Sequence, residues 1–331
     1  MKRTMKRMIA LMLAFAMSAG LFAACSAENT VSDDGKISVV ATIFPEYDWA
    51  SNIIGDLKNN YDLTLLLDNG VDLHSYQPTT EDIMKISTCD LFIYVGGESD
   101  AWVSDALTEA VNKDMKVINL MDVLGSSVQE EKIVPGMQEE TEDSEESQET
   151  NDIEYDEHVW LSLRNASVIC GAIKDALCAV DPANADVYGS NCDSYRGKLE
   201  DLDSRYAESI SADKFDTLVF ADRFPFRYLT DDYNIKYYAA FAGCSAETEA
   251  DFATVIFLAG KIDELGLGCI MTIDNSDGKI AQTVSENAGT KNLKILTLDS
   301  MQSTTSEDIS SGTTYLSIME SNLAVLNEAL N

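Results

Sequence analysis

The sequence predicts an α/β protein with two α/β sandwich domains, each built on a mainly parallel four-stranded sheet and joined by one long helix. Short runs of β-branched residues alternate with helical stretches in both halves of the chain, which is typical of parallel sheets covered by helices. Between the halves, one helical pattern is long enough to run across two domains. The chain has 331 residues, of which 45% are hydrophobic, enough to bury one or two sizeable cores.

The N-terminal residues 1–24 are predicted to be a lipoprotein signal peptide. Four basic residues among the first seven precede the apolar run 8–22, which is too short to span a membrane comfortably. Small residues before Cys25 resemble a bacterial lipobox, in which the chain is cut before the cysteine and a lipid is attached to its sulfur. An ordinary signal peptide with a chance cysteine is the alternative. Residues 25–36 then form a polar tether, and we predict an extracytoplasmic protein that this lipid anchors to the cell membrane.

The N-terminal domain is predicted to span residues 37–180. Its expected strands and helices are Ile37–Ile43, Leu63–Leu67, Thr80–Ser87, Leu91–Val95, Asp100–Asn112 and Lys116–Asn119. Residues 130–157 interrupt the domain with thirteen Asp and Glu and few residues that pack, which predicts a disordered acidic loop. Such a loop either only keeps the protein soluble or collects cations weakly.

An interdomain helix is predicted over residues 181–210. Pro182 suits the first turn of a helix with Asp181 as its N-cap, and tyrosines and leucines follow at spacings of three, four and seven. The C-terminal domain then covers residues 211–331. Its expected strands and helices are Thr217–Phe220, Ile235–Ala240, Glu247–Leu265, Cys269–Ile273, Lys279–Ala288 and Lys294–Leu298.

The composition excludes one class of partner and leaves the state of the cysteines open. The formal net charge of −34 at pH 7 repels phosphates, so nucleic acid is not an expected partner, and it attracts cations. Six cysteines besides Cys25 allow many disulfide pairings in an oxidising compartment, and buried free thiols are equally consistent with the pattern. None of them belongs to a CxxC pair, so we predict no thiolate zinc site.

The two histidines of the chain, His74 and His158, indicate a metal site. Each lies in a compact polar and aromatic segment, and neutral imidazole is a common ligand of transition metals. Ligands of α/β sheets bind at the carboxyl ends of strands, and three aspartates follow predicted strands of the second half: Asp222, Asp274 and Asp299. Two imidazoles with two carboxylates suit a first-row divalent ion. Each aspartate also suits a cap or a turn, and Arg223 or Arg227 is close enough in sequence to pair with Asp222.

Two segments resemble the zinc/manganese-type solute-binding lipoproteins of ABC transporters. Residues 71–79, Val-Asp-Leu-His-Ser-Tyr-Gln-Pro-Thr, are similar to one histidine segment of that family, and residues 155–161, Tyr-Asp-Glu-His-Val-Trp-Leu, to another. The start of the predicted interdomain helix and the C-terminal run after Asp299 are similar as well, so the resemblance spans residues 37–330. It implies two α/β domains joined by one long helix, with the metal in the cleft between them.

The resemblance also implies which residues bind the metal. His74 and His158 match the first two ligands, and Asp299 matches the fourth. The family usually places His or Glu third, just before an aromatic–x–Tyr step, and an ungapped alignment on that step puts Arg223 there, which cannot bind a cation. A one-residue shift brings Asp222 to the third position, with Asp274 as the alternative ligand.

The function that the resemblance implies is that of a receptor and not of an enzyme. Such a protein captures Zn²⁺ or Mn²⁺ with high affinity outside the cell and delivers it to the permease and ATPase of an ABC transporter, and we expect a monomer. The acidic loop occupies the place of the His- and acid-rich loop of zinc-binding members, so we favour zinc, although two carboxylates are closer to manganese-binding members. The alternatives are an exported metal-dependent hydrolase and a metal-independent surface adhesin or lipoprotein. The sequence contains neither HExxH nor a nucleophile elbow, which disfavours the hydrolase.

Overall fold

A computed structural model describes the protein over residues 35–138, 154–245 and 249–331. The predicted signal peptide, Cys25 with its predicted lipid and most of the tether lie outside the described residues, as does the middle of the predicted acidic loop. The two ends of that loop are ordered: Glu130 and Tyr155 form an antiparallel bridge, and Glu157 is buried. Regular structure therefore extends into both ends of the segment that the composition predicts as disordered.

Two parallel four-stranded sheets form the framework. The strands are β1 (Ile37–Ala41), β2 (Tyr61–Leu65), β3 (Leu91–Tyr94), β4 (Lys116–Asn119), β5 (Thr217–Phe224), β6 (Lys236–Ala242), β7 (Cys269–Ile273) and β8 (Lys294–Leu298). The first sheet has the order β2-β1-β3-β4 and the second the equivalent order β6-β5-β7-β8, with every neighbouring pair parallel. In both sheets the strand order reverses beside the first strand, which places a crevice at its carboxyl end.

Helices cover both sheets. They are α1 (Phe44–Ile54), α2 (Thr80–Thr88), α3 (Val103–Thr108), α4 (Leu120–Leu124), α5 (Leu163–Val180), α6 (Ala185–Ala212), α7 (Arg227–Asp232), α8 (Phe252–Leu265), α9 (Lys279–Asn287), α10 (Ser306–Ser310) and α11 (Tyr315–Leu330). Short 3-10 turns lie at Gly55–Asn60, Leu73–Ser75, Gly125–Ser127, Val159–Leu161 and Pro182–Asn184. Within the described part of the chain, no helix has the length and apolar character needed to cross a membrane.

The long helix α6 connects the halves, as the sequence predicts. Its 28 residues extend about 42 Å at 1.5 Å per residue. It buries one face against both halves: the Tyr195 hydroxyl donates to Asp48 of α1 at 3.1 Å, and the Tyr206 hydroxyl donates to the carbonyl of Met319 in α11 at 2.5 Å. The helix begins after a 3-10 turn that Pro182 opens, four residues after the predicted start at residue 181. The predicted α/β fold with two parallel four-stranded sheets and one long helix is therefore confirmed.

Several elements differ from their predicted bounds, and the difference at β5 bears on the site. Helix α8 begins at Phe252 instead of Glu247, because the Asp251 side chain accepts the Thr254 N–H and caps the helix there. Strand β5 continues to Phe224 instead of ending at Phe220, and its pairing with β6 shifts register between Phe220 and Arg223. Such a β-bulge leaves one strand with an extra residue. Asp222 therefore lies in the bulge and not beyond the strand end.

Buried aromatic residues connect the two halves beneath the strand ends. Residues 37–331 form one compact unit. The rings of Trp49 and Tyr315 meet edge to face with centroids 5.1 Å apart. The Tyr315 hydroxyl donates to the carbonyl of Trp160 at 2.7 Å, and the Trp160 Nε1–H donates to the carbonyl of Ser300 at 2.9 Å. Trp160 and Tyr315 are buried with their polar side-chain atoms hydrogen-bonded, which makes this contact both apolar and specific.

Candidate metal centre

The structure places His74 in the short 3-10 turn Leu73–Ser75, in the connection that follows β2. Asp72 precedes the turn, and its Oδ1 accepts the backbone N–H of His74 at 3.0 Å. The neighbouring Leu73 side chain is buried and anchors the turn in the core. This Asp-Leu-His sequence therefore holds the His74 backbone by a local hydrogen bond and by apolar burial, and turns its side chain toward the second histidine.

His158 lies just before the 3-10 turn Val159–Leu161, whose three residues are all buried. Its side chain is fully buried. Asp156 holds it twice, because Oδ1 of that carboxylate accepts both the backbone N–H of His158 at 2.9 Å and its ring Nδ1–H at 3.0 Å. The carboxylate thereby fixes both the orientation and the tautomer of the ring.

The two imidazoles face each other through their Nε2 atoms, which are 3.1 Å apart. Since Asp156 accepts the Nδ1–H of His158, the Nε2 of His158 is an acceptor, and the Nε2–H of His74 donates to it. At the other side of the His74 ring, Nδ1 lies 2.7 Å from the Ser99 hydroxyl, which donates in this arrangement. Each ring is thus oriented from its Nδ1 side by a polar partner, with Nε2 directed to a common point.

Burial keeps the His74 ring neutral. Desolvation, followed by repulsion from His158, lowers the pKa of His74 well below its ordinary value. Glu157 lies on the Nδ1 side of the ring: its Oε1 accepts the Ser99 N–H at 3.0 Å, while Oε2 lies 3.6 Å from His74 Nδ1. This Oε2 atom is buried and has no hydrogen-bond partner among the described residues. Burial raises the pKa of Glu157.

Cys244 is the third potential ligand at this point. It lies in the turn that follows β6, and its backbone N–H donates to Glu131 Oε1 at 3.2 Å. Its Sγ and one ring nitrogen from each of His74 and His158 lie within 4.8 Å of one another. In the described ranges, these three residues form the group of His, Cys, Asp or Glu side chains whose ligand atoms are close enough to hold one ion. The sequence predicts no thiolate here, so the proximity of this thiol to the histidine pair is new information.

Gly243 allows the turn before Cys244 to approach the site closely. A Cβ atom at this position would lie 2.9 Å from the carbonyl oxygen of Phe224 and 3.0 Å from Cε1 of His158. We expect Gly243→Ala to destabilise the protein by about 1–3 kcal/mol, because the backbone or the buried imidazole must shift. Urea unfolding measures this change.

A matched glycine provides the control for that measurement. Gly260 lies within α8, and a Cβ atom there would meet no other atom within 4 Å. We expect Gly260→Ala to stabilise the protein by about 0.5–1 kcal/mol, the ordinary gain from alanine in a helix. Equal unfolding midpoints for Gly243→Ala and the wild type would show that the turn has room for a side chain.

Asp222 lines the same cavity, of about 430 Å³, as His74 and Cys244. Its Oδ1 accepts the backbone N–H of Arg223 at 2.9 Å, and burial raises its pKa. The Arg223 guanidinium does not pair with it but donates to Asp72 Oδ2 at 2.7 Å. Arg227 pairs with Asp231, four residues later. The residue aligned with the family's third ligand thus forms an ion pair with the residue that caps the His74 turn.

The other two predicted aspartates lie in the loops after β7 and β8. The Asp274 carboxylate accepts four hydrogen bonds, from the N–H and hydroxyl groups of Ser300 and Ser303, at 2.6–3.1 Å. Asp299 Oδ1 accepts the Met301 N–H at 2.7 Å, and burial, followed by repulsion from Asp274, raises the pKa of Asp299. None of the three predicted aspartates belongs to the close ligand group described above, so their role as ligands stays a prediction.

Comparisons with known proteins identify relatives of this chain. A family model described as zinc-uptake complex component A, periplasmic, matches residues 39–329. The zinc-binding lipoprotein AdcA of Streptococcus pneumoniae (strain ATCC BAA-255 / R6) is 32% identical over 321 residues, which are 97% of this chain and 60% of that protein. The chain thus spans about three fifths of the length of this relative. The high-affinity zinc uptake system protein ZnuA of Bacillus subtilis (strain 168) is 29% identical over 317 residues, 94% of each chain.

A solved structure is similar over nearly the same range. The Zn(II)-bound ZnuA-like domain of Streptococcus pneumoniae AdcA superposes with a TM-score of 0.69 at 29% identity, covering 89% of this chain and 99% of that domain. The family model extends over strands of both sheets, the long helix and both histidine segments. This chain belongs to the zinc-uptake complex component A family.

Proposed function

We propose that this protein captures a divalent transition-metal ion, primarily Zn²⁺, outside the cell. It then delivers the ion to the permease and ATPase of an ABC transporter. The observation that carries the proposal is the pair of facing Nε2 atoms, 3.1 Å apart. Two nitrogen ligands of one tetrahedral zinc ion, each at about 2.05 Å from the metal, are about 3.3 Å apart. The structure therefore already holds these two atoms close to the spacing that one ion requires.

The surroundings of the pair support ligation by neutral rings. Each histidine is oriented at Nδ1 by a polar partner, the usual arrangement around histidine ligands. For His74 to bind an ion through Nε2, its proton moves to Nδ1, where the Ser99 hydroxyl and Glu157 Oε2 are positioned to accept it. A second cavity of about 260 Å³ beside His74 is lined by several glutamates, and their negative potential attracts a cation.

Family membership favours a receptor over the two alternatives. A hydrolase needs a metal with one coordination position open to water, whereas a receptor needs only a complete set of ligands. A metal-independent adhesin gives no reason for two facing imidazoles, one of them fully buried and the other largely shielded from solvent. The names of the relatives describe zinc-binding and zinc-uptake proteins, which supports zinc for this chain as well.

The remaining parts of the proposal extend beyond the described contacts. His74 and His158 are the proposed ligands, and Asp222 and Asp299 stay the predicted carboxylate ligands, with Asp274 as the alternative. We further propose that Cys25 carries the lipid anchor, that the protein works as a monomer on the outer side of the cell membrane, and that residues 37–180 and 211–331 are its two domains. The lipoprotein named among the relatives supports the anchor.

Calorimetric titration of the metal-stripped protein tests the proposal. We expect one tight Zn²⁺ site per chain and weaker binding of Mn²⁺, since imidazole ligands favour zinc. The Asp222→Asn variant, measured beside the wild type, tests the predicted third ligand: weaker binding in the variant supports Asp222. Absence of any tight site for either ion in the wild type would overturn the proposed function.

A further inference from the structure

The second half of the chain must supply at least one ligand if the ion is to be held between the two halves. The position that the family uses for this purpose is occupied by Arg223, whose guanidinium is bound to Asp72 at 2.7 Å. Arg223 is permanently cationic and repels a metal ion. The adjacent Asp222 already accepts the Arg223 N–H. Among the described His, Cys, Asp and Glu residues of the second half, the one whose ligand atom joins the two histidines in a close group is instead Cys244.

We propose that Cys244 is a metal ligand, so that the thiolate Sγ joins His74 Nε2 and His158 Nε2 around one ion. This proposal rests on the proposed function and specifies its ligand set and metal class. A sulfur and a nitrogen bound to one tetrahedral zinc ion are about 3.6 Å apart. The thiol sulfur and one ring nitrogen of each histidine already lie within 4.8 Å of one another, so a small movement of the Cys244 side chain brings its sulfur to the ion.

The position of the thiol is built into the fold and does not depend on a loose loop. The Cys244 N–H is bound to Glu131, and the preceding Gly243 is in contact with Phe224 and His158. A second, independent observation on the Nδ1 side of the His74 ring points to a cation bound by the histidine pair. Glu157 Oε2 is buried without a hydrogen-bond partner in the described structure, beside the His74 ring. Buried carboxylate oxygens are rarely left without partners, and a positive charge on the imidazole pair offsets the cost.

Metal binding at this site releases one proton. Zn²⁺ forms bonds to two imidazole nitrogens and to Sγ. The Nε2–H bond of His74 breaks while an Nδ1–H bond forms on the same ring, the S–H bond of Cys244 breaks, and the thiol proton passes to the solvent. Burial, followed by repulsion from Glu131, raises the pKa of the thiol in the structure. A bound divalent ion reverses this effect, because a coordinating thiol is deprotonated outright.

The ligand set has a consequence for selectivity. Thiolate ligands favour Zn²⁺ over Mn²⁺, which prefers carboxylate, carbonyl and water oxygens. With Cys244 in the site, the protein is a zinc-class receptor and not a manganese receptor. With two carboxylates in place of the thiolate, the preference for zinc would be smaller.

Cobalt(II) is the probe for the test, because it replaces zinc in such sites and a cobalt–thiolate bond absorbs in the near ultraviolet. The purified, metal-stripped full chain is titrated with Co²⁺ alone. We expect a thiolate-to-cobalt charge-transfer band that saturates at one ion per chain, and its absence in Cys244→Ser. Cys178→Ser is the matched control, because Cys178 lies in α5 and its Sγ contacts the Ala185 carbonyl. This control must keep the band.

Zinc affinity provides the second readout and separates the two proposals. We expect Cys244→Ser to weaken Zn²⁺ binding by about 100-fold or more and to reduce the ratio of Zn²⁺ to Mn²⁺ affinity. Tight Zn²⁺ binding without a charge-transfer band in the wild type would overturn the role of Cys244 and leave the receptor intact. Failure of the wild type to bind either Zn²⁺ or Co²⁺ would overturn both. If Cys244→Ser does not fold, the charge-transfer band of the wild type and of Cys178→Ser is the measurement that tests the proposal.

Discussion

The His158→Ala variant is expected to lose tight Zn²⁺ binding, with affinity reduced by about 100-fold or more, while the protein remains folded. The physical reason is that His158 supplies one of two facing Nε2 atoms, and its ring is held in place by Asp156 at 3.0 Å. Removal of the ring leaves the opposite imidazole alone. The measurement is competition for Zn²⁺ against a chelator of known affinity, accompanied by circular dichroism.

Two further variants control this experiment. His158 is fully buried, so alanine also leaves a cavity. His158→Gln fills most of that space, and we expect it to lose tight binding with a smaller loss of stability. His74→Ala removes the opposite ring, which is slightly more exposed, and is expected to have the same effect on affinity. Unchanged affinity in either alanine variant would remove that histidine from the site.

The Trp160→Ala variant is expected to lower the free energy of unfolding by about 3–5 kcal/mol, as for other buried aromatic residues. Trp160 is 1% exposed, and its Nε1–H and its carbonyl bind Ser300 and Tyr315 of the second half. Its ring also contacts the His158 ring, with centroids 5.2 Å apart. The substitution should therefore weaken both the contact between the halves and metal binding. Urea unfolding and zinc titration measure the two effects.

Trp160→Phe separates packing from hydrogen bonding at the same position. It keeps an aromatic ring against His158 but removes the N–H that binds the Ser300 carbonyl. We expect a loss of about 1–3 kcal/mol, the cost of one buried unsatisfied group, with metal affinity close to that of the wild type. A loss below about 1 kcal/mol in Trp160→Ala would be an ordinary surface value and would contradict the central role of this contact.

The sequence predicts the framework well where hydrophobic runs have sharp ends. Strands β4, β7 and β8 begin and end at the predicted residues, and for β7 the flanking Gly268 and Asp274 mark both ends of the apolar run. The predicted strand β5 is too short. The charged residues Asp222 and Arg223 indicate a strand end in the sequence, whereas in the structure the strand continues through a β-bulge to Phe224. The start of α8 was predicted too early, because the capping role of Asp251 is not visible among the neighbouring acidic residues.

The candidate site was predictable only in part. His74 and His158 are recognisable from their segments, and the structure brings them together across 84 positions of the chain. Cys244 has no partner at a characteristic spacing, so only its place after a strand end offers a signal. The pairing of Arg223 with Asp72 spans 151 positions and leaves no local pattern. Contacts of this kind depend on how the two halves pack against each other. The hydrophobic periodicity of the sequence contains no information about that packing.

The continuous helix α6 has a consequence for how a transporter would recognise the proposed receptor. Its tyrosines are bound to α1 on one side and to α11 on the other, so rotation of one half against the other must bend the helix or break buried hydrogen bonds. A connecting helix of this kind keeps the relative position of the two halves nearly the same with and without a bound ion. If the protein delivers an ion as proposed, its partner would then have to recognise small changes around the cavity that Asp72 and Arg223 line.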